Sequence, residues 1–187
     1  MKKFLSCLVS GFLFVTSIPL TPAIISYGAD NYFDGSGTAD SPYIIKSEQD
    51  IRQLSNLINE GSNDYAKANY IQISDIEISQ EFIPIGANGS TPFTGTYNGN
   101  YCSVSGLNIN SDFQFVGFFG AVNGGTVSNL SVYGDISSID NNNSSTGGIL
   151  GELSNGGTII NCSFSGTVSS TANNVGGIVG QVVKNAN

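Results

Sequence analysis

The chain has 187 residues, with 6 basic and 14 acidic side chains, no His and no Trp. That length holds one domain with at most a small appendage, and the absence of His excludes Ser-His-Asp and Cys-His catalysis, zinc-protease helices and His metal sites. A formal charge of −8 argues against nucleic acid and anionic membranes as partners, while 40% hydrophobic residues are enough to build a core.

The first predicted element is an export signal over residues 1–28. Lys2 and Lys3 precede an apolar stretch from Phe4 to Ile18, which Pro19 and Pro22 end. Small residues at Ser26 and Gly28 allow cleavage after Gly28, with Ala23 and Ala29 as other positions. The competing reading is a transmembrane anchor, but an apolar core of about 15 residues falls short of the roughly 20 that span a bilayer. Cys7 lies too early to be a lipid-attachment cysteine at the cleavage point. Cleavage leaves a more acidic chain, since all 14 acids follow residue 29.

Residues 29–70 read as an N-terminal cap region. Asp34-Gly35-Ser36-Gly37-Thr38-Ala39-Asp40 has the oxygens of a calcium loop but not the spacing of an EF-hand, and reads better as a turn. Ser47-Glu48-Gln49-Asp50 then places a hydroxyl three residues before a carboxylate, as in a capping box. Ile51, Leu54, Leu57 and Ile58 follow at helical spacing, and Gly61 stops the run. One short amphipathic helix is predicted over 48–60, with no other after it. Its apolar face suits the open end of a stack of strands, whose edges would otherwise invite aggregation; the alternative is a partner-binding helix.

Residues 71–187 read as strands on a period of about 30. Val116-Gly117-Phe118-Phe119-Gly120, Gly147-Gly148-Ile149-Leu150-Gly151 and Gly176-Gly177-Ile178-Val179-Gly180 match one another. Between them, Asn129-Leu130-Ser131-Val132-Tyr133-Gly134 matches Asn161-Cys162-Ser163-Phe164-Ser165-Gly166, with Tyr101-Cys102-Ser103-Val104-Ser105-Gly106 as a looser copy. Apolar residues alternate with small polar ones, and Gly and Asn runs separate the segments, so these are short strands and turns. With no room for helices, the expected architecture is all-β, a parallel β-helix, with a β-sandwich as the alternative. The third copy stops at Asn187 without its second strand, which reads as truncation.

Gly-Phe-Phe-Gly, Gly-Ile-Leu-Gly and Gly-Ile-Val-Gly resemble GLUG repeats. So does the lead-in: Gly35-Ser36-Gly37-Thr38 with Ser41-Pro42-Tyr43-Ile44-Ile45, Ile83-Pro84-Ile85-Gly86, and Phe93-Thr94-Gly95-Thr96-Tyr97-Asn98-Gly99-Asn100. Similar modules occur in secreted or wall-attached bacterial proteins, including the non-catalytic part of IgA-directed metallopeptidases. The resemblance implies a right-handed β-helix and an extracellular bacterial setting, and it implies no activity. Two roles follow as expectations. One is an adhesive or surface-display module facing a host or matrix protein or a glycan. The other is the accessory part of a larger secreted peptidase or polysaccharide-active enzyme, with further domains elsewhere.

Alternation marks Phe118, Ile149 and Ile178 as one inward column, joined by Leu130, Val132, Cys162 and Phe164. Opposite parity places Phe119, Leu150 and Val179 outward, an apolar stripe that would mark an interaction surface, unless a corner turns them in or a loop covers them. No catalytic residue, cofactor or metal site is expected, because the carboxylates are scattered: the repeat puts Asp135 opposite Thr167, and Glu152 opposite Ala121 and Gln181, so no acid pair shares a column. Asn129, Asn143 and Asn161 fit the glycosylation pattern by chance in an Asn-rich chain. Cys102, Leu130 and Cys162 fall at one place in successive repeats. Stacking at about 4.8 Å puts the cysteines about 9.6 Å apart, beyond the roughly 7 Å limit for a disulfide. Two reduced thiols facing the core are expected.

Overall fold

The computed structural model describes residues 32–139 and 144–184. The predicted signal peptide, Asp140 and Asn143 lie outside the described residues. In chain order the elements are β1 (Tyr43–Ile45), α1 (Glu48–Asn59), α2 (Asn63–Lys67), β2 (Asn69–Gln72) and β3 (Ile76–Glu77). Then come β4 (Thr96–Asn98) and β5 (Ser103–Ser111). A set of four strands follows: β6 (Phe115–Val116), β7 (Phe119–Asn123), β8 (Thr126–Ser128) and β9 (Ser131–Ser138). It recurs as β10 (Ser145–Gly147), β11 (Leu150–Ser154), β12 (Thr158–Ile160) and β13 (Ser163–Ser170). β14 (Asn174–Gly176) and β15 (Val179–Val183) open a third set.

The strands form four parallel sheets, ordered β1-β2-β4-β8-β12, β3-β5-β9-β13, β6-β10-β14 and β7-β11-β15. Each strand pairs with its counterpart one repeat later, and the rest of the repeat supplies the long crossover that parallel pairing needs. The expected strands and period are therefore present, and the described residues are all-β with parallel sheets apart from two helices. Side chains stack in columns as a result. Tyr43, Tyr70 and Tyr97 are register partners, continued by Val127 and Ile159. Their rings lie 5.5 and 6.5 Å apart. The Tyr97 hydroxyl donates to Gln72 Oε1 at 3.0 Å, and Gln72 Nε2 donates to the Ser103 carbonyl at 2.9 Å. A buried phenol is thus satisfied, and burial drives its pKa far above the ordinary value.

α1 forms where the spacing predicts. Ser47 is its N-cap, accepting from the Asp50 N–H, while the Asp50 carboxylate reaches back to the Lys46 N–H at 3.0 Å. Ile51, Leu54, Leu57 and Ile58 are buried. The polar side chains of the helix take up backbone groups that have no strand beside them. Arg52 donates to the carbonyls of Gln80 and Glu81, Ser55 to Ile83 and Asn59 to Pro84, and Asn59 Oδ1 accepts from the Ala87 N–H. The second helix, α2, corrects the expectation of a single one. It has five residues and buries only Ala66, so it is too short to show a helical period.

The glycines of the repeated Gly-Phe-Phe-Gly, Gly-Ile-Leu-Gly and Gly-Ile-Val-Gly segments sit where the chain changes sheet, from β6 to β7, β10 to β11 and β14 to β15. A Cβ on Gly151 would lie 2.6 Å from the Val116 nitrogen, and one on Gly180 would lie 2.6 Å from that of Thr146. Only a residue without a side chain lets the two strands pass so closely. The corner also shifts the alignment by one residue. Thr146 pairs with Val116, yet Leu150 pairs with Phe119, so the second copy carries one extra residue between the two strands.

Candidate functional site

Phe119, Leu150 and Val179 do form one register row, but not an exposed stripe. Phe119 and Leu150 are fully buried and Val179 is partly so. The chain turns at the glycine corner, so Phe118 and Phe119 both point inward, as do Ile149 and Leu150. The Phe118 and Phe119 rings meet edge to face at 5.2 Å. The alternating parity holds only along a straight strand, and here it breaks at the corner. Of the predicted inward column, Phe118 and Ile149 are buried, whereas Ile178, on the last described turn, is 41% exposed.

Leu130 and Val132 are buried as expected, and Phe164 and Cys162 pack partly against the core. Cys102, Leu130 and Cys162 each precede the first residue of β5, β9 and β13, and Ser103 pairs with Ser131 and Ser131 with Ser163, which puts the three in successive turns. Both cysteines are free and half-buried rather than enclosed. Burial raises both thiol pKa values above the ordinary one, with the Asp75 charge adding to the effect at Cys102.

The asparagines have structural roles that the sequence reading missed. Asn161 Nδ2 donates to Asn129 Oδ1 at 3.1 Å, and Asn129 Nδ2 donates to Asn98 Oδ1 at 3.0 Å. Asn129 and Asn161 both hold φ near +50°, a left-handed conformation that Asn tolerates better than most residues. Two of the three apparent glycosylation acceptors thus form a side-chain ladder. In the 34–40 loop, the Asp34 carboxylate pairs with Lys46 and the hydroxyls bond within the turn. Among the described residues no group of three or more His, Cys, Asp or Glu is placed to hold a metal ion.

The surface with a consistent outward chemistry is the face of β5, β9 and β13. Ser103, Ser131 and Ser163 form one row across it. Tyr133 and Ser165 form the next, opposite an irregularity in β5 between Val104 and Leu107. Asn108, Asp135 and Thr167 form a third row, and Asn110, Ser137 and Ser169 a fourth. The last two rows line a shallow groove of about 420 Å³. Tyr133 is 46% exposed beside it. The Asp135 carboxylate accepts from the Thr167 N–H at 3.2 Å and has no second acid in its row. Glu152 lies on another sheet between Ala121 and Gln181, where burial pushes its carboxyl above the ordinary value. The face offers hydroxyls, amides, one carboxylate and one ring at strand spacing. The signal for it was the polar half of the period-two pattern.

A family model, the GLUG motif, matches residues 142–169. The chain carries a GLUG motif over that stretch. The matched stretch takes in β10, β11 and β12 and nearly all of β13, one full set of strands. Halomucin of Haloquadratum walsbyi is 34% identical over 102 residues, which cover 54% of this chain and 1% of halomucin. A putative Gly-rich membrane protein of Evansella cellulosilytica is 30% identical over 126 residues, covering 63% of this chain and 14% of the relative. The chain therefore spans a small part of the length of both relatives. No solved structure matches it. Among the described residues no helix is long and apolar enough to cross a membrane.

Proposed function

We propose that this chain is a non-catalytic repeat scaffold of the cell exterior. In this reading the four parallel sheets wind as a right-handed β-helix, α1 closes the first turn, and residues 1–28 direct export. The face of β5, β9 and β13 is the display surface, and its partner is a host or matrix protein or a glycan. The observation that carries the reading is the register of that face, where small hydroxyl and amide side chains repeat in rows and Asp135 stands without a second carboxylate. Hydrolysis of a glycosidic bond normally uses two carboxyl groups about 5–10 Å apart. The relatives' names, a halomucin and a membrane protein, fit a surface-associated chain.

The test is binding of the mature chain to arrays of glycans and matrix proteins. Tyr133→Ala is expected to weaken a specific signal at least about tenfold, about 1.4 kcal/mol, with unchanged melting. Turnover of a polysaccharide that Asp135→Asn or Glu152→Gln abolishes would overturn the reading. A second reading, an accessory part of a larger secreted peptidase or polysaccharide-active enzyme, rests on the small share of each relative that the chain covers. A catalytic domain in the same open reading frame would favour it, and a wall anchor would favour the first.

A further inference from the structure

The chain contains four Asn–Gly pairs, at 88–89, 98–99, 123–124 and 155–156. In such a pair the glycine nitrogen can attack the side-chain carbonyl carbon of the asparagine. A C–N bond forms, the bond to the amide nitrogen breaks, and ammonia leaves with the proton of the glycine N–H. Water then opens the cyclic imide to aspartate or isoaspartate. No oxidant or enzyme is required, but the glycine nitrogen must be free to turn toward its neighbour.

The fold separates the four pairs by that criterion. The Gly99 N–H donates to the Ser128 carbonyl at 2.8 Å, and the Gly124 N–H donates to that of Ser154 at 3.0 Å. Both nitrogens are held by the next turn of the stack. The Gly156 and Gly89 N–H groups have no backbone acceptor among the described residues. Gly156 also stands in open space, with no atom within 4 Å of where a Cβ would be, and Asn155 and Gly156 form an exposed left-handed turn, with φ of 52° and 72°. The consequences at these two pairs differ. Asn88 has no place in a side-chain ladder, whereas Asn155 Nδ2 donates to Asn123 Oδ1 of the turn below.

We propose that Asn155–Gly156 is a spontaneous modification site, at which loss of ammonia removes the donor of the Asn155–Asn123 bond and sets a carboxylate against the Asn123 oxygen. The change marks the age of the molecule as a negative charge on one turn of the stack.

Ageing the mature chain at neutral to mildly alkaline pH, followed by peptide mapping, tests this. In the folded protein Asn155 and Asn88 are expected to convert at least about tenfold faster than Asn98 and Asn123, the factor set by about 1.4 kcal/mol of local opening. In denaturant the four rates are expected to converge, since every pair has the same two residues. Asn155→Gln should remove the acidic species that arises from this site and leave that from Asn88. Conversion of Asn123 as fast as Asn155 in the folded protein would overturn the proposal. So would an acidic species undiminished in Asn155→Gln.

Discussion

Leu150 shows what a single side chain reports about this stack. It is fully buried between Phe119 below and Val179 above, so truncation leaves a cavity between two turns. Leu150→Ala is expected to cost about 2–5 kcal/mol in urea unfolding. A cost within about 0.5 kcal/mol, the range of surface substitutions, would return it to the outside. The inward residues in and next to the straight strands, Val132 and Leu130 among them, were legible from alternation alone. The error at Phe119 and Leu150 came from carrying that alternation through a corner. The physical cue to the corner was present in the flanking glycines, since Gly151 leaves no space for a Cβ beside Val116.

At the scale of the element, α1 was legible because its cap and its apolar spacing agree. α2 was not, because contacts with the rest of the fold hold a single helical turn there. The asparagine ladder was equally hidden, since its bonds join residues about one repeat apart and no local pattern announces them. Asn129 both donates and accepts in the ladder while holding a φ of 53°. Asn129→Gly keeps that conformation accessible and loses both bonds, which is expected to cost about 1–3 kcal/mol. Asn129→Asp keeps an acceptor but sets a carboxylate against the Asn98 oxygen, and is expected to cost more than Gly at neutral pH. Thermal unfolding of both variants compares them. Equal losses would mean that the side chains stack without coupling.

Across the whole molecule, the charges that matter tie one turn to the next. Glu48 accepts from the Ser79 N–H and hydroxyl and pairs with Arg52. These contacts, the Ser79 N–H foremost, hold its carboxyl below the ordinary range. Asp75 is lowered in the same way by the N–H and hydroxyl of Ser103. For a lowered acid the stabilisation is present above its unfolded pKa and is lost as pH falls through the folded one. Glu152 has the opposite sign: burial raises its pKa, so its contribution is held at low pH and lost as pH rises through the folded value. Stability is therefore expected to fall on acidification below the ordinary carboxylate pKa of about 4. Glu48→Gln should be less stable at neutral pH and show a shallower acid limb. An acid limb unchanged by that variant would remove Glu48 from the account.

The parallel pairing has a further consequence for how the protein is made. Tyr70 lies beside Tyr43, Tyr97 beside Tyr70, and Val127 beside Tyr97. Each strand after the first in its sheet finds a neighbour that lies earlier in the chain, while the helix over 48–59 forms from local contacts. Folding can therefore run from the N-terminal end as the chain emerges, one turn laid on the last, and no early strand has to wait for a distant late one before its own turn closes.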